Sequence, residues 1–176
     1  MNLYFRFIIL IAKSIFYKRK KDPFTACKTN FWVNPLDLDI NMHMNNGRYL
    51  SIMDLGRMDL MIKSGIFWKL FSKGFYPVVA SEGIRFKKSL EPFQFFELVT
   101  QIESWDEKDF YMSQKFYHKR QIVAEGYIKG RFKQRRRKGS VPTKELFEMI
   151  TTKQFSVQMS ELAKSLASLE KNLGQN

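Results

Sequence analysis

The spacing of apolar residues along the chain alternates between the period of a strand and that of a helix. The segment 27–40 begins with the composition and alternation of an extended strand, which Pro35 ends. From Asn45 or Asn46, either of which is a natural N-cap, apolar residues recur every three or four positions as far as residues 64–65. This pattern predicts a helix, and because apolar residues occupy nearly all its sides, we expect it to be buried. Gly56 in its middle predicts the close approach of another backbone.

Beyond Pro77 the pattern returns to that of strands. Four segments rich in β-branched and aromatic residues occupy residues 78–90, 93–105, 109–119 and 121–135. The polar links between them are short, which indicates antiparallel neighbours. The basic run 135–138 ends the predicted sheet, and a further helix begins at Thr143. A helix buried on most sides, in a chain with one long sheet, has to be wrapped by that sheet, so the pattern predicts an α+β fold.

Each end of the chain has an apolar segment of its own. Residues 1–21 contain an uninterrupted apolar run at 7–12, which is too short to span a bilayer comfortably, and four basic residues at 18–21. Two interpretations remain: an amphipathic helix in a membrane interface, or a terminal helix packed on the domain or on a partner subunit. Leucines spaced by three and four predict an amphipathic helix in residues 151–176. The predicted core domain is residues 22–150.

Composition and charge narrow the classes of partner. The chain has 176 residues and a formal net charge of +13, which favours a membrane surface, a nucleic acid or a phosphate-bearing ligand. A nucleic-acid surface is the weakest of these predictions, because aromatic and basic residues are interleaved only in traces. Cys27 is the only cysteine, which fits a reducing compartment, and we expect a cytoplasmic protein, associated or not with the cytoplasmic face of a membrane. The two histidines form no metal-binding pattern.

A polar segment, "DLDINMHMNN" (37–46), directly precedes the buried helix. A carboxylate here would lie beside the free N–H groups and the positive dipole end of the helix, where it could act as a base next to an oxyanion site. In the structural alternative, Asp37 and Asp39 are turn or cap residues and His43 is a structural hydrogen-bonding group. In either case Asn45 and Asn46 help to build the helix start.

The segment "DLDINMHMNNGRYL" resembles the hotdog-fold thioesterases, whose pattern is Asp-x-Asp-x-x-Gly-His-Val-Asn-Asn-x-x-Tyr. Met42 stands where many bacterial members have Gly. The plant acyl-carrier-protein thioesterases are nearer still in this window. A second window, residues 85–116, is similar to the animal proteins called thioesterase superfamily member six, including a Glu-Pro-Phe turn and Trp-Asp before an aromatic strand.

The resemblance implies a hotdog fold, in which an antiparallel sheet wraps a central helix. It also implies a homodimer or a dimer of dimers with an acyl thioester bound between subunits. Asp39 matches the residue that most hotdog hydrolases use as base or nucleophile. In the plant enzymes the matching Asp, Asn and His act together, and here these are Asp39, Asn41 and His43. Ser89 occupies the position of the Glu that assists in those enzymes.

The expected reaction is the hydrolysis of an acyl-CoA or an acyl-carrier-protein thioester with a fairly long apolar acyl chain, without a metal or other cofactor. Asn45, Asn46 and Tyr49 are the expected substrate-binding residues, although Tyr49 could pack beneath the polar segment. Lys87, Lys88 and the basic run 135–138 could face the phosphates of coenzyme A or an acidic carrier protein, or they could form an ordinary solvated basic surface. The alternative function is that of a non-catalytic protein that binds acyl thioesters or lipids at a membrane surface.

Overall fold

The computed structural model describes residues 2–14, 22–150, 164–165 and 168. The helices are α1 (Asn2–Ser14), α2 (Asn46–Lys63), α3 (Ile66–Ser72) and α4 (Thr143–Ile150). The strands are β1 (Cys27–Trp32), β2 (Phe75–Phe86), β3 (Phe95–Trp105), β4 (Asp109–His118), β5 (Gln121–Gln134) and β6 (Arg137–Val141). The basic run at 18–21 and the leucines predicted to form the C-terminal stripe lie outside the described residues.

The strands form one antiparallel sheet in the order β1-β3-β4-β5-β2, and this confirms the predicted fold class. β6 was not predicted. The chain turns back after Arg135 and Arg136, and β6 pairs with the last residues of β5, beyond the point where the β4 ladder ends at Arg131. The segment "RKGSV" has no apolar alternation, so only its backbone pairing reveals it as a strand.

Helix α2 lies against the sheet, with Tyr49, Ile52, Met53 and Leu60 among its buried residues. Gly56 marks a close approach, as predicted, but of side chains and not of a backbone. A Cβ atom at Gly56 would lie 2.6 Å from Cδ2 of Leu98, and the side chains of Thr100 and Gln114 would also be within 3 Å. The helix can therefore lie this close to β3 and β4 only because Gly56 has no side chain.

Helix α1 packs on the domain, as expected in the second of the two interpretations of the first residues. Only one of its faces makes this contact. Leu10 is buried in the core, and Leu3 and Phe7 pack against it. The opposite face is apolar too, and Tyr4, Phe5 and Ile8 are exposed there. Within the described ranges, no helix has both the length and the apolar character needed to cross a membrane.

Candidate active site

Residues 37–45 form a hairpin-like loop that ends at the start of α2, and we refer to it as the helix-mouth loop. The backbone N–H of Asn45 donates to the carbonyl of Asp37 (2.8 Å), Leu38 pairs with Met44, and the N–H of Asp39 donates to the carbonyl of His43 (2.9 Å). These three cross-loop pairs define where each side chain of the loop stands relative to the helix.

Met42 lies at the tip of the helix-mouth loop in a left-handed backbone conformation. Its φ is 58°, in the region that favours glycine. This conformation explains why many of the bacterial proteins that the segment resembles have Gly at the aligned position, where this chain has Met. The Met42 N–H donates to the carbonyl of Asp39 (3.1 Å), so the turn is kept although Met is less favourable than Gly in this backbone conformation.

Asp39 is half-buried and points one carboxylate oxygen at the backbone of its own loop. Oδ1 accepts hydrogen bonds from the N–H groups of Asn41 (2.9 Å) and His43 (3.4 Å). Oδ2 has no hydrogen-bond partner among the residues that the structure describes. One oxygen therefore holds the carboxylate in place, while the other is open to a water molecule or a ligand. This is the arrangement expected of a base, as well as of a turn-capping residue with a solvated oxygen.

The structure brings His43 and Asn41 into the same turn as Asp39, as the resemblance implied. Asn41 is exposed, and His43 is half-buried. No described residue hydrogen-bonds the imidazole of His43, so its ring nitrogens are available to a ligand or to solvent.

The start of α2 supplies hydrogen-bond donors beside this carboxylate. Of the two predicted N-caps, Asn45 is the one used, and its side chain accepts from the N–H of Gly47 (2.8 Å). The N–H of Asn46, the first helical residue, has no acceptor within the described part of the chain. Along the helix-mouth loop, Asp39 is two residue pairs, or about 7 Å, from the pair of Asp37 and Asn45 that closes the loop. The N–H of Asn46, at the positive end of the helix dipole, therefore lies at the same end of α2 as the carboxylate.

Tyr49 lies beneath the helix-mouth loop, in the core. Its ring packs edge-on against Phe86 and Phe116, with centroids 5.0 Å away in both cases. Burial raises the pKa of its hydroxyl to about 12, with a hydrogen bond from the backbone of Leu90 acting in the opposite direction. Tyr49 is thus a neutral core residue that supports the site from below.

Lys87, Lys88 and Ser89 run beside the helix-mouth loop at the end of β2. The next residue, Leu90, accepts the N–H of Met44 through its carbonyl (2.8 Å). The Lys87 ammonium pairs with Glu125 (3.0 Å), and that of Lys88 donates to Gln121 (2.7 Å). All three residues are exposed, so both lysines could reach a ligand despite these partners.

The basic run after β5 is far from these lysines within one chain. Lys87 and Lys88 both donate their backbone N–H to Val123 near the start of β5, whereas Arg135 follows the end of that strand. The guanidinium of Arg135 lies over the ring of Phe71. The two basic groups therefore occupy opposite ends of β5 and cannot contact one phosphate group from a single chain.

A largely apolar cavity of about 290 Å³ lies between the second half of α2 and the sheet. Its lining includes Leu60, Met61, Ile66, Val78, Met112 and Phe132. Asp54 and Arg57 contribute its charged groups; Arg57 bonds to Asp54 and donates to Oε1 of buried Gln114 (3.0 Å). This cluster was not predicted, and the only signal for it in the sequence was an acidic and a basic residue three apart on the helix.

No group of three or more His, Cys, Asp or Glu side chains within the described ranges could hold a metal ion.

Comparison with known proteins agrees with the architecture. The sequence model of the thioesterase-like superfamily matches residues 33–157. Protein THEM6 from Xenopus laevis is 42% identical over 84 residues, which are 48% of this chain and 41% of that protein, so the match spans less than half of the relative.

Two solved structures share the fold at low sequence identity. The probable thioesterase YbaW from Escherichia coli has a TM-score of 0.65 at 21% identity, covering 70% of this chain and 97% of that one. A DHNA-CoA thioesterase from Staphylococcus aureus also has a TM-score of 0.65, at 14% identity, covering 86% of this chain and 96% of that one. These likenesses confirm the hotdog architecture.

Proposed function

Because the chain belongs to the thioesterase-like superfamily, we propose that it hydrolyses acyl thioesters at the helix-mouth loop, with Asp39 as the base. The observation that carries this proposal is that two available groups lie at the same end of α2. Asp39 keeps one oxygen without a described partner, and the N–H of Asn46 faces the same end of α2 without a described acceptor. One is suited to a water molecule, the other to an oxyanion.

In the proposed reaction, Asp39 takes a proton from a water molecule, and the oxygen of that water attacks the thioester carbonyl carbon. The negative charge that develops on the carbonyl oxygen is stabilised by the Asn46 N–H and the helix dipole. The C–S bond then breaks, and the sulfur leaves as a thiolate that takes up the proton held by Asp39, which restores the carboxylate. The products are a carboxylic acid and a thiol. His43 and Asn41 are placed to orient the water or the thioester from the same turn.

The substrate class that we propose is a thioester with a fairly long apolar acyl chain, carried by coenzyme A or by an acyl-carrier protein. The apolar cavity supports this choice. Arg57, at the cavity, is 11 residues from Asn46, or about 16 Å along the helix, so an acyl chain that starts at the helix-mouth loop must be long to fill the cavity. Lys87 and Lys88 are placed to contact the phosphates of the carrier.

We also propose that the working form is a dimer. Among the described strands, β2 pairs only with β5, which leaves one edge of a 12-residue strand unpaired. Tyr76, Val79 and Phe86 are exposed along it. Long apolar edges favour pairing with another chain, and an identical copy is the simplest partner. Light scattering should give twice the chain mass, and Val79→Lys should shift the protein to monomers. A monomer in the wild type would refute this assembly.

Peripheral contact with an anionic membrane is the proposed role of the outer face of α1. The exposed Tyr4, Phe5 and Ile8 supply apolar area, and the formal net charge of +13 favours an anionic surface. Phe5→Ser/Ile8→Ser should reduce co-sedimentation with vesicles that contain phosphatidylserine, whereas Trp68→Ser, on the exposed surface of α3, should not. Equal losses for both variants would show that α1 is not the contact.

Ser89 favours a second candidate, a protein that binds acyl thioesters without hydrolysing them. It occupies the place of an assisting acid, and it is exposed beside the helix-mouth loop. A hydroxyl cannot supply the proton transfer of a carboxylate at neutral pH.

The two functions are separated by an acyl-CoA panel of increasing chain length, with thiol release and calorimetric binding measured on the purified protein. Steady thiol release that is fastest with long chains supports the hydrolase. Saturable binding without release would establish the binding protein instead.

A further inference from the structure

Helix α1 and the helix-mouth loop are joined by a buried ion pair. Nη2 of Arg6 lies 2.5 Å from Oδ2 of Asp37 and also donates to the carbonyl of Trp32 (3.0 Å). Only 2% of the Asp37 side chain and 10% of that of Arg6 are exposed. A single guanidinium thus holds the end of β1 and the first residue of the loop.

Asp37 is the base of the helix-mouth loop in three respects. Its carbonyl accepts the N–H of Asn45, which closes the loop, and Oδ2 accepts the N–H of Asn34 (3.0 Å), which caps the short turn before it. Nε of Arg48, in the first turn of α2, lies 3.7 Å from Oδ1. The carboxylate therefore fixes the chain that enters the loop relative to the helix that leaves it.

The position of Asp39 depends on this base. Asp39 is two residues further along the same arm, and its cross-loop pair with His43 continues the pairing that begins at Asp37 and Asn45. If the base shifts, the carboxylate of Asp39 shifts relative to the N–H of Asn46. A displacement of about 1 Å in a catalytic group can lower a rate by about 100-fold.

We propose that Arg6 is a positioning residue for hydrolysis, acting through Asp37 to hold the helix-mouth loop, so that α1 forms part of the site although it supplies no reacting group. The inference rests on the proposed function. It also gives α1 two roles on two faces, because Arg6 and Leu10 lie on the packed face and the apolar residues proposed to meet lipid lie on the other.

The plainer alternative is that the ion pair only holds α1 on the domain. In that case removing Arg6 would loosen α1 and lower stability, but it would leave the loop and the rate per folded molecule unchanged. The two hypotheses therefore differ in where the backbone loosens and in whether kcat falls.

The test uses Arg6→Gln, with Lys13→Gln as the matched control and Arg6→Lys as the conservative variant. Lys13 is an exposed cation on the same helix, so its replacement makes the same charge change away from Asp37. Hydrogen exchange is followed at the amides of Met42, Met44 and Asn45, and kcat and KM are measured at a temperature where circular dichroism shows each variant folded.

For Arg6→Gln we expect faster exchange at these amides and a fall in kcat of between about 10- and 100-fold with KM little changed. Lys13→Gln should match the wild type in both. Arg6→Lys should restore most of kcat, because an ammonium has donors for both Asp37 and the Trp32 carbonyl. Combining Arg6→Gln with Asp37→Asn should lower kcat no further than the worse single variant.

Faster exchange confined to α1 with an unchanged kcat would overturn the proposal, as would additive losses in the double variant. If Arg6→Gln does not fold, Asp37→Asn provides the same comparison, since its amide oxygen can still accept from Asn34. If the wild-type protein releases no thiol, the proposed function fails, whereas the exchange measurement still decides whether Arg6 fixes the loop.

Discussion

The two ends of α2 each have a carboxylate, and the two differ in burial and in partners. Asp59, in the last turns, is 1% exposed, and its Oδ2 accepts from Thr29 Oγ1 and Lys63 Nζ, both at 2.5 Å. Asp39, just before the helix, is half-buried, and its one engaged oxygen accepts only backbone N–H groups. The first has ionic and hydroxyl partners in the core, whereas the second has neither among the described residues.

This difference separates a structural carboxylate from one that is available for chemistry. A buried charge is tolerable only when it is paired and hydrogen-bonded, and Asp59 meets that condition through Lys63, whose ammonium also bonds to the carbonyl of Lys28 (3.0 Å). A reacting carboxylate has to keep an oxygen for the reactant. Our proposal therefore assigns the chemistry to Asp39 at the start of α2, whereas Asp59 at the far end connects the helix to β1 through Thr29.

The largest effect that we expect at the structural end comes from Asp59→Ala. Removing Asp59 leaves the ammonium of Lys63 buried without its carboxylate counter-ion, which should lower the free energy of unfolding by about 3–5 kcal/mol. Urea unfolding measures the loss, and kcat per folded molecule should be unchanged. Asp59→Leu/Lys63→Met removes both charges and should be much less destabilising than Asp59→Ala. A double variant as unstable as the single one would mean that the ion pair is not the reason.

At the site end, Lys87→Gln/Lys88→Gln should change binding and leave stability almost unaltered. Two exposed cations beside a carrier phosphate contribute about 1.4 kcal/mol together, so KM for an acyl-CoA should rise about tenfold while kcat is kept. Lys133→Gln, an exposed lysine near the other end of β5, is the control. An unchanged KM would remove these lysines from the site but leave Asp39 in it.

A third carboxylate, Asp106 in the turn between β3 and β4, should give the smallest effect. Although burial opposes ionisation, hydrogen bonds from the Tyr111 hydroxyl (2.7 Å) and from the N–H groups of Asp109 and Lys108 hold its pKa below the usual value. Its stabilising effect is therefore present above the ordinary Asp pKa of about 4 and lost as the pH falls through the lowered one.

Tyr111→Phe should consequently cost about 1 kcal/mol of unfolding free energy at pH 7, and the difference from the wild type should shrink towards pH 3. Thermal unfolding across this range measures it. Thioester hydrolysis at pH 7 should not change, because the turn is remote from α2's start. A difference that does not depend on pH would show that lost packing, and not the bond to the carboxylate, is responsible.

How far the sequence predicts the molecule depends on how local each feature is. α2 and the strands β2 to β5 follow from apolar periodicity. The local pattern of carboxylates before a helix start indicates both Asp37 and Asp39, and the resemblance to the hotdog thioesterases is what favours Asp39. The Arg6–Asp37 pair joins residues 31 positions apart, and no periodicity reports such a contact. The one signal of this pair in the sequence was Arg6, a lone arginine in an otherwise apolar stretch. A charged side chain held among apolar residues needs a partner.

The cavity and strand β6 could not be predicted from the sequence, because both depend on how distant segments come together. The cavity forms where side chains from α2, α3 and four strands meet, and the sequence shows only that each is apolar. β6 pairs with β5 through its backbone, and backbone pairing leaves no side-chain pattern in the sequence.

The central claim is that the carboxylate at the start of α2 performs the reaction and the one at its end does not. The most direct measurement compares wild type, Asp39→Asn and Asp59→Asn for long-chain acyl-CoA hydrolysis and for urea unfolding. Losing a general base should lower kcat of Asp39→Asn by about 100-fold or more with an unchanged unfolding midpoint, whereas Asp59→Asn should lose stability and keep its kcat. Turnover close to wild type in Asp39→Asn would contradict the account.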